Sequence, residues 1–73
     1  MDMKKYYKEL ARNIRVERAK NKISQAQLAE IANVSIETIG QIERETANPT
    51  LSTIISIALA LKIRLDNLVL LEY

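Results

Sequence analysis

The chain has 73 residues, with one glycine, one proline, no cysteine and no histidine, and a length of this order accommodates one small core. These counts exclude a disulfide framework, a thiolate metal site, histidine-based catalysis and a glycine-rich phosphate loop. The net charge of +2 is uneven, because residues 1–22 carry eight Lys and Arg against three Asp and Glu, whereas residues 23–73 carry three against six.

The first predicted helix extends from about Lys4 to Lys20. Leu10 and Ile14 recur at helical spacing, and Lys and Arg residues cover much of the remaining surface. This positive surface has two interpretations, an ordinary solvated helix face or a surface that attracts phosphate, and charge alone leaves both open.

The second predicted helix begins after Ser24, a favoured N-cap residue. Gln27 follows three positions later, which gives the Ser-x-x-Gln pattern of a capping box. Asn33 is expected to end the helix, because asparagine tolerates the left-handed conformation. The expected buried face consists of Leu28, Ala29, Ile31 and Ala32.

The third predicted helix begins after the next N-cap, Ser35, and extends from about Ile36 to Arg44, with Ile39 and Ile42 pointing inward. Two short helices separated by a turn of about three or four residues define a helix-turn-helix, and residues 24–44 have this layout. A generic helical bundle with short loops is the alternative. Two successive N-caps around one short turn favour the helix-turn-helix.

Two further helices are predicted in the C-terminal third. Thr50 or Ser52 caps a fourth helix over residues 51–61, and Asp66 is expected to cap a last helix that ends near Leu71. The elements together predict an all-α, compact five-helix domain spanning residues 1–73. The expected core face of the fourth helix consists of Leu51, Ile54, Ala58 and Leu61.

The segment SQAQLAEIANVSIETIGQIE resembles the helix-turn-helix of the Cro/C1-type (Xre) family, which includes phage repressors. Its Ser-Gln-x-x-Leu-Ala pattern is followed at the expected distance by Ile-x-x-Ile-Glu-Arg and then by Asn-Pro-Thr-Leu, and this combination is specific. The resemblance extends over about residues 9–69. It implies a lambda-repressor-like fold in which the third helix enters the DNA major groove.

Reading bases requires suitable side chains on the outward face of the third helix. In the light of the resemblance, we predict base contacts from Ile36, Glu37, Gly40, Gln41 and Arg44. Gln41 suits adenine, Glu37 suits a cytosine amino group, and Gly40 leaves room for close approach to the duplex. Exposed Gln and Glu are also ordinary on helix surfaces, so this assignment depends on the resemblance.

Phosphate contacts require cations and free backbone N–H groups. By resemblance, Gln25 at the start of the second helix touches a phosphate. The resemblance also implies a salt bridge between Arg18 and Glu43, which we interpret as structural. The other predicted phosphate contacts are Arg12, Arg15, Ser35, Thr38 and Asn48.

Two positions depart from the family pattern, since Lys22 and Glu45 stand where glycine is common. Glu45 removes the favoured left-handed cap and adds negative charge near the DNA backbone. We therefore expect modest non-specific affinity for DNA, with specific binding dependent on two copies acting together.

Apolar residues in the C-terminal third exceed what a small core needs, and this excess predicts a two-fold dimer interface. The alternative is a slightly enlarged monomer core. The predicted interface consists of Ile55, Leu59, Leu65, Val69, Leu70, Leu71 and Tyr73.

The predicted function is sequence-specific regulation of transcription by a homodimer on a short palindromic operator in double-stranded DNA. A restriction–modification controller and a phage-type repressor both fit the size. An antitoxin that binds a toxin protein and autoregulates its operon is the alternative from another class. We expect no enzymatic activity, no cofactor and no metal site. The absence of a long apolar run or signal peptide predicts a cytoplasmic protein that does not bind membranes.

Overall fold

Four α-helices and one 3₁₀ turn make up the computed structural model, which describes residues 2–71. This part of the chain contains no β-strand, in agreement with the predicted all-α class. None of its helices is both long enough and apolar enough to cross a membrane. The elements are α1 (Lys4–Asn21), α2 (Gln25–Ala32), α3 (Ile36–Glu43), α4 (Leu51–Leu61) and the 3₁₀ turn Leu65–Asn67.

Side-chain caps fix where α2, α3 and α4 begin. The Ser24 hydroxyl accepts a hydrogen bond from the Gln27 backbone N–H at 3.0 Å, and the Gln27 side chain accepts from the Ser24 N–H at 2.7 Å. The predicted capping box is therefore confirmed. Ser35 and Thr50 cap α3 and α4 through their hydroxyls. Such caps typically stabilise a helix by about 1 kcal/mol each.

The four α-helices end with the same backbone device. A left-handed residue donates its N–H to the carbonyl three residues back, and the next N–H donates to the carbonyl five residues back, as in a Schellman motif. None of these left-handed residues is glycine, although a β-carbon costs about 1 kcal/mol in this conformation. The residues are Lys22 (φ 55°), Asn33 (φ 58°), Glu45 (φ 62°) and Lys62 (φ 57°). The expectation that Glu45 removes the left-handed cap of α3 is therefore wrong, because Glu45 itself adopts the left-handed conformation.

One core joins all of the elements. Each α-helix and the C-terminal segment contributes one large side chain that is almost completely buried, and burying such a side chain stabilises a fold by about 1.5–3 kcal/mol. α2 packs against both α3 and α4, and α1 packs against α3. The core therefore fixes α3 relative to the first two helices. These five side chains are Ile14, Leu28, Ile39, Ile57 and Leu68.

The predicted buried faces of α2 and α4 are wrong at one position each. Ile31 is 58% exposed and Leu51 is 64% exposed. Ile31 lies outside the narrow stripe of α2 that meets the core, and Leu51 is the first residue of α4, at its exposed end. Ile57 fills the core position on α4 that the prediction gave to Leu51.

The predicted fifth helix is not confirmed, because a single 3₁₀ turn at Leu65–Asn67 takes its place. Asp66 does not act as an N-cap, since its carboxylate pairs with the Arg64 guanidinium at 3.1 Å. α1 binds the backbone that a longer helix would use. The Asn13 amide donates to the Leu68 carbonyl at 2.6 Å, and the Leu70 N–H donates to the Glu9 carboxylate at 3.1 Å.

Candidate nucleic-acid interface

The outward face of α3 carries most of the side chains predicted to contact bases. Ile36, Glu37, Gln41 and Arg44 are exposed, whereas Ile39 and Ile42 are buried and attach the helix to the core. A helix held in this way presents four different side-chain chemistries to solvent without needing them for folding. An apolar, an acidic, an amide and a basic group are all available to a partner.

Gly40 is the exception among the predicted base contacts, because it is buried. The side chain of Arg44, the C-cap residue of α3, covers it from one turn further along the chain. A β-carbon built on Gly40 would lie 2.9 Å from Arg44 Nη1 and 3.7 Å from Cζ. The missing side chain at position 40 therefore makes room for the Arg44 guanidinium.

A polar joint, formed by Arg18, Gln25 and Glu43, links α1, α2 and α3. Arg18 donates from Nε to Glu43 Oε2 at 2.7 Å and from Nη2 to Oε1 at 2.9 Å. Gln25 Nε2 donates to the same Oε1 at 3.1 Å. Glu43 is the only charged residue that is buried in the described part of the chain. The joint therefore satisfies a buried carboxylate and fixes the orientation of α3.

The pKa values of the two charged groups in the polar joint reflect this pairing. Burial raises the pKa of Glu43, but the hydrogen bonds from Arg18 and Gln25 and the charges of Arg18 and Arg15 outweigh it, so the pKa lies below its usual value. The hydrogen bond to Glu43 raises the pKa of Arg18. Both groups are therefore charged at neutral pH. Within residues 2–71, no cluster of acidic residues is arranged to hold a metal ion.

Arg15 of α1, which is predicted to contact phosphate, extends its side chain to the C-terminal end of α3. Its Nη1 donates to the Glu43 backbone carbonyl at 2.7 Å, one of the carbonyls that a helix end leaves without a partner inside the helix. A cation here also interacts favourably with the helix dipole. Arg15 therefore stabilises the end of α3, and its guanidinium has further N–H groups that remain as donors.

Gln25, Ser35 and Thr38 lie in the first turns of α2 and α3. The backbone N–H groups of a first turn point out of the helix, and the helix dipole makes this end positive. The bond from Gln25 to Glu43 uses one hydrogen of the amide and leaves the other as a donor. The Ser35 and Thr38 hydroxyls lie 2.8 Å apart and share a hydrogen bond. These groups form a set of neutral donors beside α3.

Asn48 lies in the segment between α3 and α4, and Tyr7 of α1 holds its side chain. The Tyr7 hydroxyl donates to Asn48 Oδ1, which leaves the amide N–H groups of Asn48 as donors. The sequence analysis did not identify this role of Tyr7, and no local pattern connects residues 41 positions apart. Arg12, the remaining predicted phosphate contact, is exposed on α1.

A second surface is apolar and lies on α4 and the C-terminal segment. On α4, Leu51, Ile55 and Leu59 form a stripe with a spacing of four residues and are 64%, 41% and 72% exposed. In the C-terminal segment, Leu65, Leu70 and Leu71 are 40%, 62% and 57% exposed. Of the other two residues predicted for the dimer interface, Val69 is half-buried, and Tyr73 lies outside the described residues.

Val69 and Leu71 also line a small groove. The groove has a volume of about 190 Å³, and Tyr6 and Tyr7 of α1 form part of its wall. The apolar surface is therefore continuous between the C-terminal segment and the start of α1.

Comparison with known proteins agrees with this arrangement. The family HTH_3, described as helix-turn-helix, matches residues 14–68. Control protein C.SmaI of Serratia marcescens is 44% identical over 68 residues, which cover 93% of this chain and 77% of that protein. The HTH_3 match includes α2, α3 and the three residues of the polar joint.

Two solved structures are similar to this fold. The restriction-modification controller protein C.AhdI of Aeromonas hydrophila has a TM-score of 0.81 at 27% identity, covering 85% of this chain and 94% of the other. The hypothetical transcription factor NHTF from Neisseria has a TM-score of 0.87 at 30% identity, covering 96% and 80%. These relatives are two control proteins and a hypothetical transcription factor, which are regulatory proteins and not enzymes.

Proposed function

Because the chain belongs to the helix-turn-helix family HTH_3, which is a family of DNA-binding transcriptional regulators, we propose that it recognises a short palindromic operator as a homodimer. In this proposal α3 lies in the major groove and its outward face reads base edges. The similarity to C.SmaI and C.AhdI supports the more specific proposal that this chain controls a restriction–modification system. Regulation then follows from occupancy of the operator.

The outward face of α3 is the observation that carries the proposal. Ile36, Glu37, Gln41 and Arg44 are all exposed while the polar joint and the core hold the helix. The major groove admits an α-helix, and these groups suit a thymine methyl, a cytosine amino group, an adenine and a guanine respectively. Gly40 is buried beneath Arg44, so its proposed contribution to base recognition depends on where the Arg44 side chain lies.

Phosphate binding is proposed to determine the register of α3 on the duplex. Neutral donors at the starts of α2 and α3 would bind phosphate oxygens together with the helix dipoles. The arginines of α1 would add positive charge that attracts the phosphates. The proposed contacts are Arg12, Arg15, Gln25, Ser35, Thr38 and Asn48.

The homodimer is proposed to form through the apolar surface of α4 and the C-terminal segment. Leu59 at 72% exposed and Leu70 at 62% exposed are the strongest support, because isolated small domains rarely expose a continuous apolar patch. A two-fold dimer repeats one half-site, with α3 of each copy about 34–36 Å apart along the DNA. The operator would then be an inverted repeat.

Selection of binding sites from a random duplex pool at physiological salt tests the proposal. The expected result is an inverted repeat whose half-sites lie one helical turn apart. Gln41→Ala is expected to relax the preference at one base pair of each half-site, at a cost of about 1–3 kcal/mol. Asn67→Ala is the matched control, since it removes an exposed amide from the 3₁₀ turn and should leave the selected sequence unchanged.

Enrichment of no sequence, with only salt-sensitive binding to any duplex, would contradict the proposal. The search for a partner would then move to proteins, beginning with the predicted toxin partner. Enrichment of a single half-site without its repeat would contradict the homodimer and leave base recognition by α3 in place.

A further inference from the structure

The only glycine of the sequence stands where glycine is unfavourable for folding. Gly40 lies inside α3, and glycine in a helix interior is less favourable than alanine because the unfolded chain loses more freedom. Four positions with a left-handed backbone, where glycine would relieve strain, hold Lys22, Asn33, Glu45 and Lys62 instead. Helix formation and chain reversal therefore do not explain a glycine at position 40.

The space next to Gly40 is occupied by Arg44, and this supplies a reason. Gly40 lies in α3, and Arg44, the C-cap residue of α3, follows one turn later; Arg44 is exposed and Gly40 is buried. A β-carbon at position 40 would lie 2.9 Å from Arg44 Nη1, 3.7 Å from Cζ and 3.8 Å from Nη2. The first distance is shorter than van der Waals contact, so a β-carbon at position 40 requires the flexible end of the Arg44 side chain to shift.

We propose that Gly40 is a positioning residue for Arg44, and that the pair together determines a preference for guanine at one base pair of each half-site. The flat guanidinium lies along α3 instead of extending freely into solvent, and its paired N–H donors match the O6 and N7 acceptors of guanine. α3 itself contains no Lys or Arg, and Arg44 at its C-cap is the only cation among residues 35–45. This inference rests on the proposed function, since it assigns a base to the same outward face.

A competing role for Gly40 is to allow close approach of the helix backbone to the duplex. The two roles differ in whether they depend on Arg44. If Gly40 acts only through Arg44, then removing Arg44 should abolish the effect of any substitution at position 40. If Gly40 acts by close approach, the substitution should weaken binding whether or not Arg44 is present. A double-mutant cycle separates them.

The experiment compares wild type, Gly40→Ala, Arg44→Ala and the double variant. Each is titrated with the selected operator and with operators in which each guanine is replaced. Wild type is expected to prefer guanine by about 10-fold at one base pair, in line with a bidentate contact. Arg44→Ala should abolish this preference, and Gly40→Ala should reduce it to about 3-fold or less. Adding Gly40→Ala to Arg44→Ala should change affinity by less than about 2-fold.

Two controls exclude a loss of folding or of charge. Alanine is the better helix former, so the melting temperature of Gly40→Ala should be equal to or above that of wild type. Because Gly40→Ala keeps the arginine charge, its binding to a duplex of unrelated sequence, and the salt dependence of that binding, should match wild type. If Gly40 had only a structural role, Gly40→Ala would leave the preference for guanine unchanged.

The possible failures are distinguishable. If wild type selects no sequence, the proposed function and this inference fall together. If wild type selects an operator but Gly40→Ala keeps the full guanine preference, only the inference is overturned. It is also overturned if Gly40→Ala weakens binding equally with and without Arg44, because Gly40 then acts by close approach to DNA.

Discussion

The polar joint and the apolar surface hold their parts of the chain in different ways. At the polar joint, directional hydrogen bonds satisfy one buried carboxylate, and Arg18 binds Glu43 through two of them. In the C-terminal segment, Leu68 is fully buried but Leu70 and Leu71 are mostly exposed. One region is complete within a single chain, whereas the other leaves apolar area without a partner.

This difference indicates that the polar joint and the apolar surface have different roles. Hydrogen bonds between charged groups have strict geometry, so the polar joint determines the orientation of α3, as base recognition requires. Apolar contact is non-directional and gains stability in proportion to the area buried, which suits association between two copies. Substitutions in each region can separate these two roles.

The largest effect is expected from breaking the polar joint. Glu43→Gln leaves the half-buried Arg18 guanidinium without its charged partner, and we expect a loss of about 3 kcal/mol in the free energy of unfolding. Chemical denaturation measures it. Glu37→Gln, an exposed substitution of the same type on α3, is the matched control and should change stability by less than about 0.5 kcal/mol. Equal effects of the two substitutions would contradict a structural role for the joint.

Acid should weaken the same joint. The pKa of Glu43 is lower in the folded chain than its usual value, so its contribution to stability is complete above the pKa of the unfolded chain. That contribution is lost as the pH falls from the unfolded-state pKa through the lower folded-state pKa. The stability difference between wild type and Glu43→Gln should therefore shrink on going from about pH 7 to about pH 3. A constant difference would mean that the carboxylate charge is not what stabilises the joint.

A charge introduced into the apolar surface is expected to affect the association of two copies instead of the folding of one. Leu59→Glu is expected to weaken the proposed dimer by about 2 kcal/mol, or about 30-fold in the dissociation constant, because a leucine loses its burial. Analytical ultracentrifugation measures it. Ile31→Glu introduces the same charge at a site on α2 that is 58% exposed and outside the predicted interface, so it should leave the dimer intact. A wild type that stays monomeric at high concentration would contradict the proposed role of the apolar surface in dimer formation.

Local sequence patterns predicted the elements of the fold wherever neighbouring residues decide the structure. The capping box at Ser24 and Gln27, the all-α class and the starts of α2, α3 and α4 all depend on groups a few positions apart. The fifth helix was not confirmed, because distant groups determine the backbone of the C-terminal segment. Asn13 and Glu9 of α1 bind the backbone of Leu68 and Leu70, and local propensity contains no information about such contacts.

The candidate site divides in a similar way. The outward face of α3 follows from helical periodicity, since Ile39 and Ile42 on the inward face determine which residues face solvent. The arrangement of side chains within that face does not follow from helical periodicity. The sequence analysis assigned Gly40 to the duplex itself, and only the three-dimensional distances show that Arg44 covers it. The role of Tyr7 was missed for the same reason.

A smaller effect is expected at the helix ends, where α3 and α4 each end at a left-handed residue other than glycine. Glu45→Gly at the end of α3 should raise the free energy of unfolding by about 1 kcal/mol, since glycine adopts a positive φ without steric cost. Lys62→Gly at the end of α4 should give a similar gain, and Asn33→Gly a smaller one, because asparagine tolerates this conformation. Thermal or chemical denaturation measures all three. A loss of stability in Glu45→Gly would show that its side chain makes a compensating contribution.

The smallest effect concerns Tyr7, which connects the apolar groove with Asn48, a proposed phosphate contact. Its ring lines the apolar groove beside Val69 and Leu71, and its hydroxyl donates to Asn48. Tyr7→Phe keeps the ring and removes only the hydroxyl, so we expect a loss of about 0.5 kcal/mol in stability, at the low end for one exposed hydrogen bond. Freeing the Asn48 amide should also weaken operator binding by about 2-fold, because the amide must then be ordered when DNA binds. Tyr6→Phe removes the neighbouring hydroxyl and keeps its ring beside Lys5, so operator affinity in this control should match wild type. If Tyr7→Phe lowered stability but left operator affinity unchanged, the hydrogen bond from Tyr7 would stabilise the fold without ordering Asn48 for phosphate binding.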